Sequence, residues 1–246
     1  METGNLIQEL GSENFFKFGK QKIIMKSILI QTDFDNTITE GNVSELIHDE
    51  FGPENWPEIY EKYKKSLITV EESNIYSFRY LNTKKIDLDN FVKKNVKFRD
   101  GFLEFYKYVM NNNLDFKIVS SGVDFYIYAA LSVLGIDPNT VEILSGKSVF
   151  NSKGIKIKYF DTQNNKINSK FKDTHTQYHR KIYSEIIYFG DSHTDLYSSK
   201  ICDVVFATDK LQNYYKKNKL PHFSFDNYYD VIQIFKDKKL AETTIP

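Results

Sequence analysis

At 246 residues the chain has room for one large domain, or for a core domain carrying a smaller insertion. Hydrophobic residues make up 41% and aromatics 15%, enough for a sizeable core, while 33 basic residues balance 33 acidic ones. That balance leaves no electrostatic footprint for nucleic acid or a membrane surface, and no apolar segment approaches the roughly 20 residues that span a bilayer.

Residues 1–26 are polar around a Phe15-Phe16-Phe18 patch and read as an N-terminal appendage. Ile23, Ile24 and Met25 are too short an apolar run for a secretion signal. The run Ile28-Leu29-Ile30 reads as a buried opening strand that ends in Asp33-Phe34-Asp35-Asn36-Thr37. Two carboxylates so close repel each other unless a cation lies between them, which suggests a divalent metal site; Asx-turns after a strand are the structural alternative. From Val43 to Lys97 the pattern is helical, with three or four helices and no strand. Ser44-Glu45-Leu46-Ile47 starts one helix, Pro57 suits a first helical turn, Thr69-Val70-Glu71-Glu72 has the form of a capping box, and Asp87 opens another helix.

Strands and helices then alternate. A helix carrying Phe102, Phe105 and Val109 precedes strand Leu114–Val119, and a helix follows from Phe125 to Leu134. Short strands are expected at 141–144 and 155–159, a helix near 174–183, a strand at 186–189, a helix at 195–199, a strand at 204–206 and a helix after Asp209. This alternation predicts crossovers and a parallel sheet, an α/β core of Rossmann-like type. Cys202 is the only cysteine, which precludes an intrachain disulfide and points to a reducing, cytoplasmic setting; within its strand-bound segment it reads as a small buried residue.

Three strand ends finish in polar residues: Asp33-Phe34-Asp35, Ser120-Ser121-Gly122 and Gly190-Asp191-Ser192-His193-Thr194-Asp195. In an open α/β sheet, ligands bind beyond the carboxyl ends of the strands, so these segments should converge. Small residues entering a helix, as at Ser120-Ser121-Gly122, offer hydroxyls and backbone N–H groups to an anion. The last segment adds two more acids to the same edge. His175 and His179 share a helix face, but no third ligand or HExxH pattern accompanies them.

In this order, the motifs resemble those of the haloacid dehalogenase superfamily of phosphatases. Its DxDx[TV] loop, strand-end Ser or Thr, lysine and GDxxxD loop correspond to Asp33–Thr37, Ser120, a lysine and Gly190–Asp195. Lys166, Lys170 and Lys172 all precede the last catalytic strand; Lys172 is chosen because it opens the helix leading there, 18 residues before Gly190. The resemblance implies a core over 27–40 and 99–246 and a helical cap over 41–98, as in the phosphoserine phosphatase-like branch. It implies that Asp33 attacks phosphorus to form an aspartyl-phosphate and that Asp35 protonates the leaving oxygen and then activates water. Lys172, Ser120 and the amides of Ser121 and Gly122 would hold phosphate. Asp33, the Asp35 carbonyl and Asp191 would bind Mg²⁺, with Asp195 orienting that shell.

Within the branch, Asp33–Thr39 with Asn42, Arg99–Phe105 and Tyr188–Leu196 are similar to the methionine-salvage phosphatases, which act on 2-hydroxy-3-keto-5-methylthiopentenyl-1-phosphate. Their cysteine-rich Lys-Pro segment is replaced here by Phe171-Lys172-Asp173-Thr174. Phosphoserine phosphatases hold their zwitterionic substrate with a glutamate and an arginine. Those positions fall at Asn42 and near Ser77, with Arg79 displaced. The expected substrate is therefore a small, uncharged or anionic phosphorylated metabolite. The alternative of another class is a silent phosphate-binding protein, which would have no need to retain Asp33, Asp35 and Asp191 together.

Overall fold

Ile28, Leu29 and Ile30 are all buried in β1 (Lys26–Thr32), as expected of an apolar run in a strand covered on both faces. The computed structural model describes residues 26–242, so all of the expected appendage except Lys26 lies outside it. Four helices follow: α1 (Val43–Phe51), α2 (Trp56–Lys64), α3 (Val70–Phe78) and α4 (Lys85–Asn95). Pro57 lies in the first turn of α2, and Thr69 and Glu72 form a reciprocal capping box on α3. The two chain segments leading into and out of this helical stretch pair with each other through an antiparallel bridge between Thr39 and Phe98.

The chain continues through α5 (Phe102–Asn111), β2 (Asp115–Val123), α6 (Asp124–Val133), β3 (Glu142–Asn151), β4 (Gly154–Phe160) and β5 (Lys166–Ile167). Then come α7 (Phe171–His179), β6 (Tyr183–Gly190), a 3-10 turn at His193–Asp195, α8 (Leu196–Lys200), β7 (Val204–Ala207), α9 (Asp209–Lys217), β8 (Phe223–Ser224) and α10 (Tyr228–Asp237). The eight strands form one sheet in the order β5-β4-β3-β2-β1-β6-β7-β8. Every pair from β3 to β8 is parallel, so the α/β class read from the sequence holds. The chain leaves β1 toward β2 and later returns to its other side at β6, so the crevice beyond β1 is the switch point where ligands bind in such sheets.

Some expected elements differ. β3 and β4 are antiparallel, because only two residues separate them and a parallel crossover needs a dozen or more. Ser120, Ser121 and Gly122 continue β2 instead of leaving it, and the β2–β3 register breaks between Val119 and Val123. The helix expected near 174 begins at Phe171, which puts Lys172 in its first turn. β5, β8 and α10 were not anticipated. Tyr228, Val231 and Phe235 of α10 close an aromatic core with Phe102, Phe105, Phe189 and Phe206.

Candidate active site

The three polar strand ends converge. Asp33 follows β1, Ser120–Gly122 end β2 and Asp191 follows β6. Together with Asp35 and Lys172 they line one cavity of about 250 Å³. The Asp33 amide donates to the Phe189 carbonyl at 3.0 Å, which ties the first acidic loop to the strand bearing the last one.

Lys172 lies at the centre of the charges. Its Nζ donates to Asp33 Oδ2 at 2.6 Å, to Asp195 Oδ1 at 2.7 Å and to Thr194 Oγ1 at 3.1 Å. Burial by itself would lower the lysine pKa, but the charges of Asp195 and Asp33 outweigh it and keep the ammonium protonated. Asp195 is saturated: Tyr188 Oη also donates to Oδ1 at 2.7 Å, and the Asp191 and Ser192 amides donate to Oδ2. Burial raises its pKa, but Lys172 and these donors more than offset that and hold the carboxyl below its usual range. Gly190 permits this packing, since a Cβ there would lie 2.6 Å from Asp195 Cγ.

Asp33 Oδ1 accepts the Phe34 amide at 2.7 Å. Burial pushes its carboxyl up and the Lys172 ammonium opposes that. Asp191 makes no ion pair with Lys172, and burial followed by the charges of Asp195 and Asp33 raises its pKa well above the carboxylate range. Oxygens of Asp33, Asp191 and Asp195 lie within 4.8 Å of one another. Three buried carboxyl groups around a single ammonium form an all-oxygen cluster with more acid than Lys172 can balance, which fits a hard divalent cation such as Mg²⁺.

Asp35 has other partners than that cluster. Its Oδ1 accepts the Val43 amide at 2.7 Å and its Oδ2 the Tyr126 hydroxyl at 2.8 Å. Burial first, and the Asp33 charge second, raise it to about 7, a value suited to giving up and taking back a proton near neutrality. Ser120 Oγ accepts the Gly122 amide at 3.0 Å, so this loop spends one of its own amides on itself.

Several contributors were not anticipated from the sequence. Asn74 of α3 donates to the Ser121 carbonyl and to Tyr159 Oη, both at 2.9 Å, and Tyr159 Oη donates to the same carbonyl at 2.5 Å. Glu71 Oε1 accepts the Phe171 amide at 3.0 Å, capping the helix that carries Lys172. Arg99 donates to the carbonyls of Asn36 at 2.6 Å and Thr37 at 3.1 Å, bracing the first acidic loop. These contacts join residues far apart in sequence, and only the capping box at Thr69 hinted at α3. The helical stretch lines the rest of the cavity with Ser44, Glu45, Trp56, Tyr60, Tyr63 and Lys64. Arg79 faces a separate hollow beside Tyr76 and Tyr80. His175 Nε2 lies 3.0 Å from the Phe160 carbonyl, and His179 Nδ1 lies 2.8 Å from Gln31 Oε1. Cys202 is half-buried, with its thiol donating to the Ser198 carbonyl at 3.1 Å.

Residues 28–220 match the Putative Phosphatase family. The chain belongs to that family. It is a phosphatase of the haloacid dehalogenase type, a phosphoric monoester hydrolase. A 2-hydroxy-3-keto-5-methylthiopentenyl-1-phosphate phosphatase of Bacillus velezensis is 29% identical over 231 residues, covering 89% of this chain and 97% of that one. One of the same name from Bacillus cytotoxicus is 30% identical over 209 residues, covering 83% and 94%. Among solved structures, a substrate-bound phosphoserine phosphatase superposes with a TM-score of 0.60 at 15% identity, over 85% of this phosphatase and 98% of that chain. Among the described residues no helix is long and apolar enough to cross a membrane.

Proposed function

We propose that this phosphatase hydrolyses a small phosphorylated metabolite through an aspartyl-phosphate on Asp33, with the methionine-salvage enol phosphate as its substrate. The observation that carries the reading is the pair of hydrogen bonds from Lys172 Nζ to Asp33 and Asp195, with Lys172 and Asp33 lining a cavity that Asp35 and Ser120 also line. Asp33 Oδ attacks phosphorus as the ester P–O bond breaks, and the leaving oxygen takes the proton of Asp35. Water then attacks the acyl phosphate, returns a proton to Asp35 and frees Asp33 and inorganic phosphate. Lys172 and Ser120 hold phosphoryl oxygens, and Lys172 keeps the Asp33 carboxylate aimed at phosphorus. Asp33, the Asp35 carbonyl and Asp191 would hold Mg²⁺, with Asp195 fixing the loop around them. Bound there, the ion would neutralise charge on the transferring group.

Residues 41–98 act as a cap that closes the cavity over the substrate. The enol phosphate named for the relatives has an uncharged tail ending in a thioether. Trp56, Tyr60 and Tyr63 suit such a tail, because sulfur packs favourably on aromatic rings. A second reading has support from Glu45 and Lys64, which line the same cavity and offer both charges that phosphoserine would need. Steady-state kinetics with Mg²⁺ on the two compounds tests the choice. A higher kcat/KM for the enol phosphate is expected, and a higher one for phosphoserine would overturn the substrate. Full activity in excess EDTA would overturn the metal assignment.

A further inference from the structure

Asp35 is held by two groups, on different elements, to which the mechanism above gives no role. The Val43 amide at the start of α1 fixes Oδ1, and the hydroxyl of Tyr126, in the first turn of α6, fixes Oδ2. Tyr126 is fully buried between Phe34 and Phe125, with ring centroids 6.3 and 5.5 Å away. At neutral pH a phenol is a donor, so this bond points from tyrosine to carboxyl. The approach depends on Gly122. A Cβ there would lie 2.2 Å from Tyr126 Oη and 2.9 Å from Asp35 Oδ2. Phosphate-loop residue, phenol and carboxyl are thus packed as one unit.

A carboxyl anchored through one oxygen can still turn about its broad terminal torsion. Anchored through both, from two elements, its plane is set. We propose that Tyr126 is a positioning residue that fixes the plane of the Asp35 carboxyl, so that the proton passes to the leaving oxygen as the P–O bond breaks. The proposal rests on the reading of Asp35 as the proton donor. The proton moves from Asp35 to the ester oxygen, which leaves as an alcohol; Tyr126 keeps its own proton throughout.

The test is a leaving-group series, from 2,4-dinitrophenyl through 4-nitrophenyl and phenyl to a glycerol phosphate, read as kcat/KM with Mg²⁺ present. This parameter reports the first displacement, where the leaving oxygen needs its proton. Tyr126→Phe keeps the ring packing and removes only the hydroxyl. It should cost about tenfold or more on the alkyl phosphate and only about twofold on the dinitrophenyl ester, whose oxygen leaves unprotonated. In an Asp35→Asn background the same change should add less than about twofold, because the proton it positions is gone. An equal loss on all four esters, no loss on any, or a further large loss in the Asp35→Asn background would overturn the proposal. Asp35→Asn alone separates the two readings. If its loss does not grow toward the alkyl phosphate, the role of Asp35 fails and that of Tyr126 with it. If it grows and that of Tyr126→Phe does not, only the positioning role fails.

Discussion

Lys172 balances charge for two buried aspartates at once, and the two kinds of substitution at this site should separate cleanly. Asp33→Asn removes the proposed nucleophile but leaves Lys172 its partner in Asp195. Turnover should fall by several orders of magnitude, with about 4 kcal/mol or more missing from the barrier, while urea unfolding shifts little. Lys172→Ala instead leaves Asp33 and Asp195 buried without their cation. It should lower unfolding free energy by about 3–5 kcal/mol as well as abolish activity. Equal stability of the two variants would show that the ion pairs carry less than their burial suggests.

A second residue-scale expectation concerns pH. His48 is buried against Trp56, with its Nδ1–H donating to the Ser44 carbonyl at 2.6 Å. Burial lowers its pKa from 6.5 to about 4, with the Ser44 carbonyl opposing. Between those values the unfolded chain binds a proton that the folded chain refuses. Stability present above the unfolded pKa is therefore lost as pH falls toward 4. Asp35, raised to about 7, takes up a proton on folding in the same window and works in the opposite sense. The informative quantity is thus the gap in unfolding free energy between the wild type and His48→Gln. It should shrink by about 3 kcal/mol from pH 7 to pH 4, measured by urea unfolding at each pH.

At the scale of elements, α3 is the piece that joins the helical stretch to the catalytic strands. Glu71 caps α7 at Phe171, Thr69 Oγ1 donates to the Asn168 carbonyl at 2.5 Å, and Asn74 braces the Ser121 carbonyl. Ser121, next to the proposed phosphate ligand Ser120, and the helix carrying Lys172 thereby both depend on one helix. Glu71→Ala leaves the Phe171 amide unpaired in the interior and should cost about 1–3 kcal/mol. It should also lower kcat, because the first turn of α7 carries Lys172. Glu71→Gln keeps an acceptor in place and should restore most of both. Thermal unfolding and turnover on the two variants check this. A Glu71→Gln as impaired as Glu71→Ala would mean that the charge, not the cap, is what matters.

For the whole molecule, the sheet order explains why acids from distant segments meet. β1, β2 and β6 are adjacent and parallel, so their carboxyl ends share one edge and Asp33, Ser120 and Asp191 come together there. The sequence by itself determined the α/β class, the strand-free helical stretch between β1 and β2, and the residues at those strand ends. Each is a local property: an apolar run, a capping box, a turn-forming acid. With the family resemblance it also favoured Lys172 over Lys166 and Lys170, as the lysine opening the helix ahead of β6, and Lys172 lies in the first turn of α7. Tertiary structure alone decided the rest. Tyr126, Glu71, Asn74 and Arg99 reach the site by contacts across 47 to 100 residues, and buried tyrosines, asparagines and glutamates carry no periodic mark. α10 illustrates the same limit. Its Asn227 cap was there to be read, but what fixes it is the apolar face it lays on Phe105 and Phe206, which the chain brings together only on folding. The raised Asp35 is likewise a product of the fold, since the burial and the nearby Asp33 charge that shift it exist only once the cavity has closed around both.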